Sequence, residues 1–192
     1  MATRIAELIT QRLIKTHIIE EGDRELYRYG FYLLVTRFFF FSIAIITGFL
    51  VSNADKSMIF FLVFMTLRTY AGGVHARTET SCTVLTTLSL IVSVFIIKAM
   101  EVSNGKVIAA LLFAAGSICV LLFAPLETKE KPLEYQERKH YRAICVMLVF
   151  LCGVGMTLSW MFSLNVVYYP TSCGMCLEGI LLCIGKRCSC KD

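Results

Sequence analysis

The apolar residues of this chain come in runs rather than in stripes, and that arrangement decides the solvent in which it folds. Residues 31–52, 82–99, 107–126 and 143–164 are almost unbroken stretches of aliphatic, aromatic and small side chains. Each is close to the roughly 20 residues a helix needs to cross a bilayer. Across all 192 residues, 57% are hydrophobic and 17% charged, and the mean hydropathy is +0.70. Soluble domains hold about 45–50% apolar and about 25% charged residues. The sequence therefore reads as a polytopic membrane protein. Lipid supplies no hydrogen bonds, so spanning segments must satisfy their own backbone as helices. The expected fold class is all-α, with about six hydrophobic helices and an N-terminal amphipathic interfacial helix.

Two segments are less regular than the rest. Ser57–Leu67 is apolar apart from Ser57 and Thr66 but only eleven residues long, a length more typical of re-entrant or partly buried segments. It can lengthen into 68–74, although Gly72-Gly73 weakens a regular helix there. The segment at roughly 165–185 contains Pro170, Gly174, Glu178 and Gly179. Residues 1–30 place Ile5, Leu8, Ile9 and Leu13 at helical spacing opposite charges, which suits a helix lying on the membrane surface or packed on the rest of the protein. They hold no apolar signal-peptide core, so the first span is expected to act as its own insertion signal.

Charge distribution orients the set. Arg4, Arg12, Lys15, Arg24 and Arg28 precede the first span, Lys129, Lys131, Arg138, Lys139 and Arg142 lie between 127 and 142, and Lys186, Arg187 and Lys191 end the chain. The intervening turns hold only Lys56 and Lys106, and the stretch 68–82 with Arg68 and Arg77 falls on the same side as the rich regions. With six passes the positive-inside rule puts every rich region in the cytoplasm. The segment 1–30, the loop 127–142 and the tail 186–192 are then cytoplasmic parts of one integral membrane domain, 1–192. Net charge is +5, too modest and scattered to imply a nucleic-acid partner. Among nine cysteines, Cys173-x-x-Cys176 has metal-like spacing, but its second pair would be Cys188-x-Cys190 with no histidine nearby. Reduced thiols, with no metal and no cofactor, are the simpler reading. The roles of Cys173, Cys176, Cys183, Cys188 and Cys190 stay open.

Chemistry is expected in the polar stretch 68–82, where His75 and Cys82 lie seven residues apart. A thiol needs a neighbouring base to become a nucleophile, and imidazole titrates near working pH. Arg68 and Arg77 are cations that would lower a thiol pKa. On one straight helix the pair would share a face but stand about 10.5 Å apart along the axis, too far for proton transfer over about 2.6–3.2 Å. A dyad therefore requires the chain to bend between them, which Gly72-Gly73 and Thr78-Glu79-Thr80-Ser81 permit. On residue types alone, a loop histidine and a cysteine at a helix start are more often structural than catalytic.

The wider pattern changes that balance. Arg68-Thr-Tyr-Ala-Gly72-Gly73-Val-His75-Ala-Arg-x4-Cys82 resembles the signature of the accessory gene regulator B family of bacterial membrane endopeptidases. A second match is Ala124-Pro125-Leu126-Glu127-Thr128-Lys129-Glu130-Lys131-Pro132-Leu133, similar to that family's loop after its fourth hydrophobic segment. The resemblance implies processing of a cyclic autoinducing peptide used in quorum sensing. Cys82 would attack the scissile carbonyl and His75 would act as base and acid. A cysteine or serine of the bound peptide would then close a thiolactone or lactone. Arg68, Gly72, Gly73, Lys129 and Lys131 would support or bind the substrate. The implied partners are a precursor with an amphipathic leader and an acidic tail, and the lipid bilayer of a bacterial cell. A homodimer is left open, as is a third residue orienting His75; Glu79 reads more simply as solvated.

Two other classes compete. A small peptide transporter or export partner would need ionisable residues at membrane depth, and Glu178 is the candidate. A non-catalytic sensor built on the terminal cysteines would leave Cys82 dispensable.

Overall fold

The computed structural model describes residues 2–73, 79–126 and 134–189, with the side chains of Glu79, Thr80, Cys82, Cys188 and Ser189 left aside. The described residues form seven α-helices: α1 (Ala2–Lys15), α2 (Arg24–Leu50), α3 (Ala54–Ala71), α4 (Glu79–Val102), α5 (Lys106–Phe123), α6 (Tyr135–Met161) and α7 (Asn165–Ser189). Five stretches are long and apolar enough to cross a membrane: Glu21–Leu50, Thr83–Val102, Lys106–Phe123, Tyr135–Met161 and Asn165–Arg187. This is the expected all-α polytopic membrane protein.

Two compact units make up the chain, Met1–Ile43 and Ala44–Asp192. In the first, α1 ends on a Schellman turn. Ile18 N–H donates to Leu13 O and His17 N–H to Ile14 O, with His17 at φ 55°. Arg24 at the start of α2 then reaches back to Glu7 on α1, Nη2 to Oε1, at 2.5 Å. That hydrogen bond holds the Glu7 carboxyl below the ordinary carboxylate range. Helix α2 starts at Arg24 rather than at 31, inside the stretch read as amphipathic. Glu25 and Arg28 pair one turn apart at 2.5 Å and carry the helix into the apolar run.

The second unit is a set of hairpins with short turns at one end and longer connections at the other. Helices α2, α4 and α6 end on the same Schellman pattern, with Ser52, Asn104 and Ser163 at positive φ. Each turn uses three residues, at 51–53, 103–105 and 162–164. A polar knot ties two of these turns. Lys56 Nζ donates to Glu101 Oε1 at 2.7 Å and to Asn53 Oδ1 at 3.1 Å, while Asn53 Nδ2 reaches Glu101 Oε2 at 3.3 Å. Lys56 is buried, yet its charge is met within the bundle.

Three bounds differ from the sequence reading. Helix α3 runs over 18 residues rather than eleven, because Lys56 and Arg68 find partners and extend it at both ends. At about 1.5 Å per residue it is roughly 27 Å long. Helix α6 begins at Tyr135, inside the stretch read as loop. Glu134 and Glu137 form a reciprocal capping box there, and the charged residues that follow are sound helix formers. The segment with the least regular sequence, α7, is a continuous helix with Pro170 in its second turn. It is also the central one: 61% of its spanning stretch is buried, against at most 28% in the other four. Cys173 and Cys176 therefore lie within the bundle rather than in a terminal thiol cluster.

Helix α7 is surrounded by α3, α5, α6 and α4, and its closest neighbour is α5. The reason is two glycines. A Cβ on Gly179 would stand 2.9 Å from the Cα of Gly116, and a Cβ on Gly116 would collide with the carbonyl of Met175. Small residues let backbones touch where lipid provides no hydrophobic drive for association. Gly174 similarly faces Val63 and the backbone of Phe64 on α3. Replacing Gly179 with leucine should lower the thermal midpoint of detergent-solubilised protein, an overpacking cost of about 1–3 kcal/mol or more. Gly155→Leu on α6, where nothing lies within 4 Å of the added atom, should leave the midpoint unchanged.

Candidate active site

The site begins at the end of α3. After Ala71 the backbone turns through Gly72 (φ 79°, ψ −146°) and Gly73 (φ 133°), a pair of conformations that L side chains rarely adopt. Space excludes a side chain as well. A Cβ on Gly72 would meet the carbonyl oxygen of Leu126 at 2.5 Å, and a Cβ on Gly73 would collide with the Arg68 guanidinium. The same guanidinium donates from Nη1 to the Gly72 carbonyl at 3.0 Å. Arg68 thus ties the last turn of its own helix to the residue that breaks it.

A second segment arrives from α5. Ala124 is extended, as the residue before proline prefers, and α5 stops at Phe123. Leu126 N–H then donates to Ala71 O at 2.9 Å, and Leu126 pairs with Gly72 in a short parallel bridge. The two sequence blocks singled out above are therefore joined backbone to backbone through Gly72 and Leu126, 54 positions apart in sequence. Beneath them Leu67, Ala71, Val120, Ala124, Met175 and Leu182 form one apolar cluster. On its flank Tyr70 of α3 stacks edge-on against Tyr141 of α6 at 5.7 Å.

One charged side chain rises from α7 into this floor. Glu178 is fully buried, and Arg68 Nη1 lies 3.9 Å from its Oε1. Among the described residues neither carboxylate oxygen accepts a hydrogen bond. At that distance and an effective dielectric near 20 the two charges attract by about 4 kcal/mol. Desolvation costs about as much, several kcal/mol per ion, so the pair adds little net stability. It does confine the guanidinium, because losing either partner strands the other charge at a cost of about 3–5 kcal/mol.

Of the expected site residues, Arg68, Gly72 and Gly73 are brought together here. The backbone of Cys82 lies in the first turn of α4, a helix separate from α3. The Cys82 side chain, His75, Lys129 and Lys131 lie outside the described residues. Two participants escaped the sequence reading of the site. The Leu126 carbonyl and amide are backbone groups and leave no side-chain signal. Glu178 did have one: an acid within an apolar run calls for a cation, and Arg68 is the cation at the end of another apolar run. Among the described residues there is no group of three or more His, Cys, Asp or Glu side chains placed to hold a metal ion.

The family model for accessory gene regulator B matches residues 6–182, nearly the whole chain and both joined segments. The chain belongs to the accessory gene regulator B family. It is 28% identical over 144 residues to AgrB-like protein 2 of Clostridium perfringens, covering 72% of this chain and 67% of that one. It is 30% identical over 92 residues to accessory gene regulator protein B of Staphylococcus saprophyticus, covering 47% and 48%. An AgrB-like protein of Listeria innocua is 27% identical over 118 residues, covering 60% and 55%. No solved structure matches the chain. Membership is consistent with a role in autoinducing-peptide processing.

Backbone strain gives a direct check on the turn that joins the two family segments. Gly72→Ala forces a Cβ into a glycine-only conformation against Leu126 O, a cost of about 1–3 kcal/mol. The thermal midpoint should fall accordingly, while Gly30→Ala in α2, with open space around it, should not lower it.

Proposed function

We propose that this protein is a membrane cysteine endopeptidase that cleaves a peptide precursor and promotes its cyclisation. Cys82 is the nucleophile and His75 its base. The observation that carries the reading is the pairing of Gly72 with Leu126, which joins the two sequence blocks of the family pattern at one place in the bundle. Cys82 follows at the start of α4, where the unpaired amides of a first turn favour a thiolate.

The chemistry is a two-step acyl transfer. His75 takes the Cys82 proton and the thiolate adds to the scissile carbonyl. As the C–N bond breaks, His75 returns the proton to the departing amine, which leaves with the precursor's C-terminal tail. The remaining fragment is a thioester on Cys82. A cysteine thiol or serine hydroxyl within that fragment gives its proton to His75 as it attacks the thioester carbonyl, forming the ring and expelling Cys82 as the thiolate, which the protonated His75 then reprotonates. Cyclisation outruns hydrolysis because an attached nucleophile acts at high effective molarity.

Gly72 and Gly73 allow the chain to turn after α3, Arg68 supports that turn, and Lys129 and Lys131 attract an acidic precursor tail. The substrate is a precursor with an amphipathic leader and an acidic tail, met at the cytoplasmic face of a bacterial cell membrane. The helices make six passes, α3 among them, and both termini are cytoplasmic. The transport reading is weaker: Glu178, the acid a transport pathway would use, is engaged with Arg68 inside the bundle.

Cys82→Ala and His75→Ala should each abolish cleavage of a co-expressed precursor while the variant accumulates in the membrane at the wild-type level. Cleavage at the wild-type rate by either variant would refute the reading.

A further inference from the structure

Glu178 lies outside the two sequence blocks that carry the family resemblance, yet among the described residues it is the buried acid at the candidate site. It sits on α7, the central helix, with no exposed surface, and it faces Arg68 of α3 at 3.9 Å. The placement is determined by packing at the next residue and one turn earlier. Gly174 and Gly179 let α7 approach α3 and α5 to backbone contact, so residue 178 cannot retreat towards lipid. A full acid at this depth would be selected against unless it served another group. The group it serves is plain from the contacts. Nη1 of the Arg68 guanidinium donates to the carbonyl of Gly72 at 3.0 Å and lies 3.9 Å from Glu178 Oε1. Gly73 has no room for a side chain because that guanidinium fills the space.

We propose that Glu178 is a positioning residue for peptide cleavage. Its carboxylate fixes Arg68, and Arg68 fixes the Gly72-Gly73 turn from which the chain continues to His75. The role presupposes the His75 and Cys82 reaction proposed above. Glu178 itself touches neither substrate nor reacting atoms. Its separation from Arg68 is that of an ion pair rather than a hydrogen bond, which suffices because charge interactions reach further in a dry, low-dielectric interior.

The test uses the full-length protein in lipid vesicles with a precursor peptide. Rates are expressed per active site, titrated by acylation of Cys82, so that loss of folded protein does not count as loss of activity. Glu178→Gln keeps the shape and removes the charge. It should lower kcat about tenfold or more with KM held within about twofold, since small displacements of catalytic groups cost rate rather than binding. Glu178→Asp, which keeps the charge on a shorter arm, should recover part of the loss and serves if the glutamine variant does not fold. An unchanged kcat per titrated site in both variants would overturn the proposal, whatever happens to stability. A raised KM with kcat unchanged would also overturn it, because the pair would then be binding substrate. Cleavage that survives Cys82→Ala would instead strike the underlying reaction. Cys82-dependent cleavage indifferent to Glu178 strikes this role alone.

Discussion

The contact between Gly116 and Gly179 is closer than any side chain would allow, and the rest of the bundle is arranged around it. In lipid the helices gain nothing from excluding water, so van der Waals contact between backbones must hold them. The glycine pair supplies that contact between α5 and α7. With α7 seated there, its carboxylate at 178 falls beneath Arg68, and the end of α5 falls beside the end of α3. The Gly72 turn, the Leu126 bridge and the ion pair are consequences of where α7 sits. Short Schellman turns hold the opposite end, and the Lys56–Glu101 knot ties two of them.

This division of the molecule separates the tight turns from the candidate site. One end has three-residue turns and satisfied polar groups. The other carries the longer connections, Lys186 and Arg187 at the end of α7, and both family segments. The glycine-only turn lies at the second end, in the positive φ of Gly72 and Gly73. A buried ion pair of little net stabilising value is placed beside that turn. Such pairs are better explained by what they hold in place than by the stability they add.

Much of this was legible in the sequence, and the exceptions have physical causes. Long apolar runs are read by lipid as helices whatever else they contain, so the fold class followed from 31–52, 107–126 and 143–164. Helix α3 was undersized because Lys56 and Arg68 look like the ends of a span until their partners Glu101 and Glu178 are seen, and those lie 45 and 110 residues away in sequence. The glycines and proline of α7 argued against a regular helix by propensity. In the fold they are what lets α7 occupy the centre, a tertiary demand that overrides propensity. The Gly72-Gly73 break was visible, since only a turn or close approach calls for two such residues. Its pairing with Leu126 was not, because backbone hydrogen bonds carry no residue signature.

The central claim is that a thiol at the start of α4 becomes acylated by the substrate. The direct measurement is mass spectrometry of the protein in vesicles, quenched with acid soon after mixing with a precursor whose internal nucleophile has been replaced by alanine. Without that nucleophile the thioester should accumulate, as a Cys82-containing peptide heavier by the precursor's N-terminal fragment less one water. A released tail with unmodified Cys82, or the same adduct on another cysteine, would contradict the account.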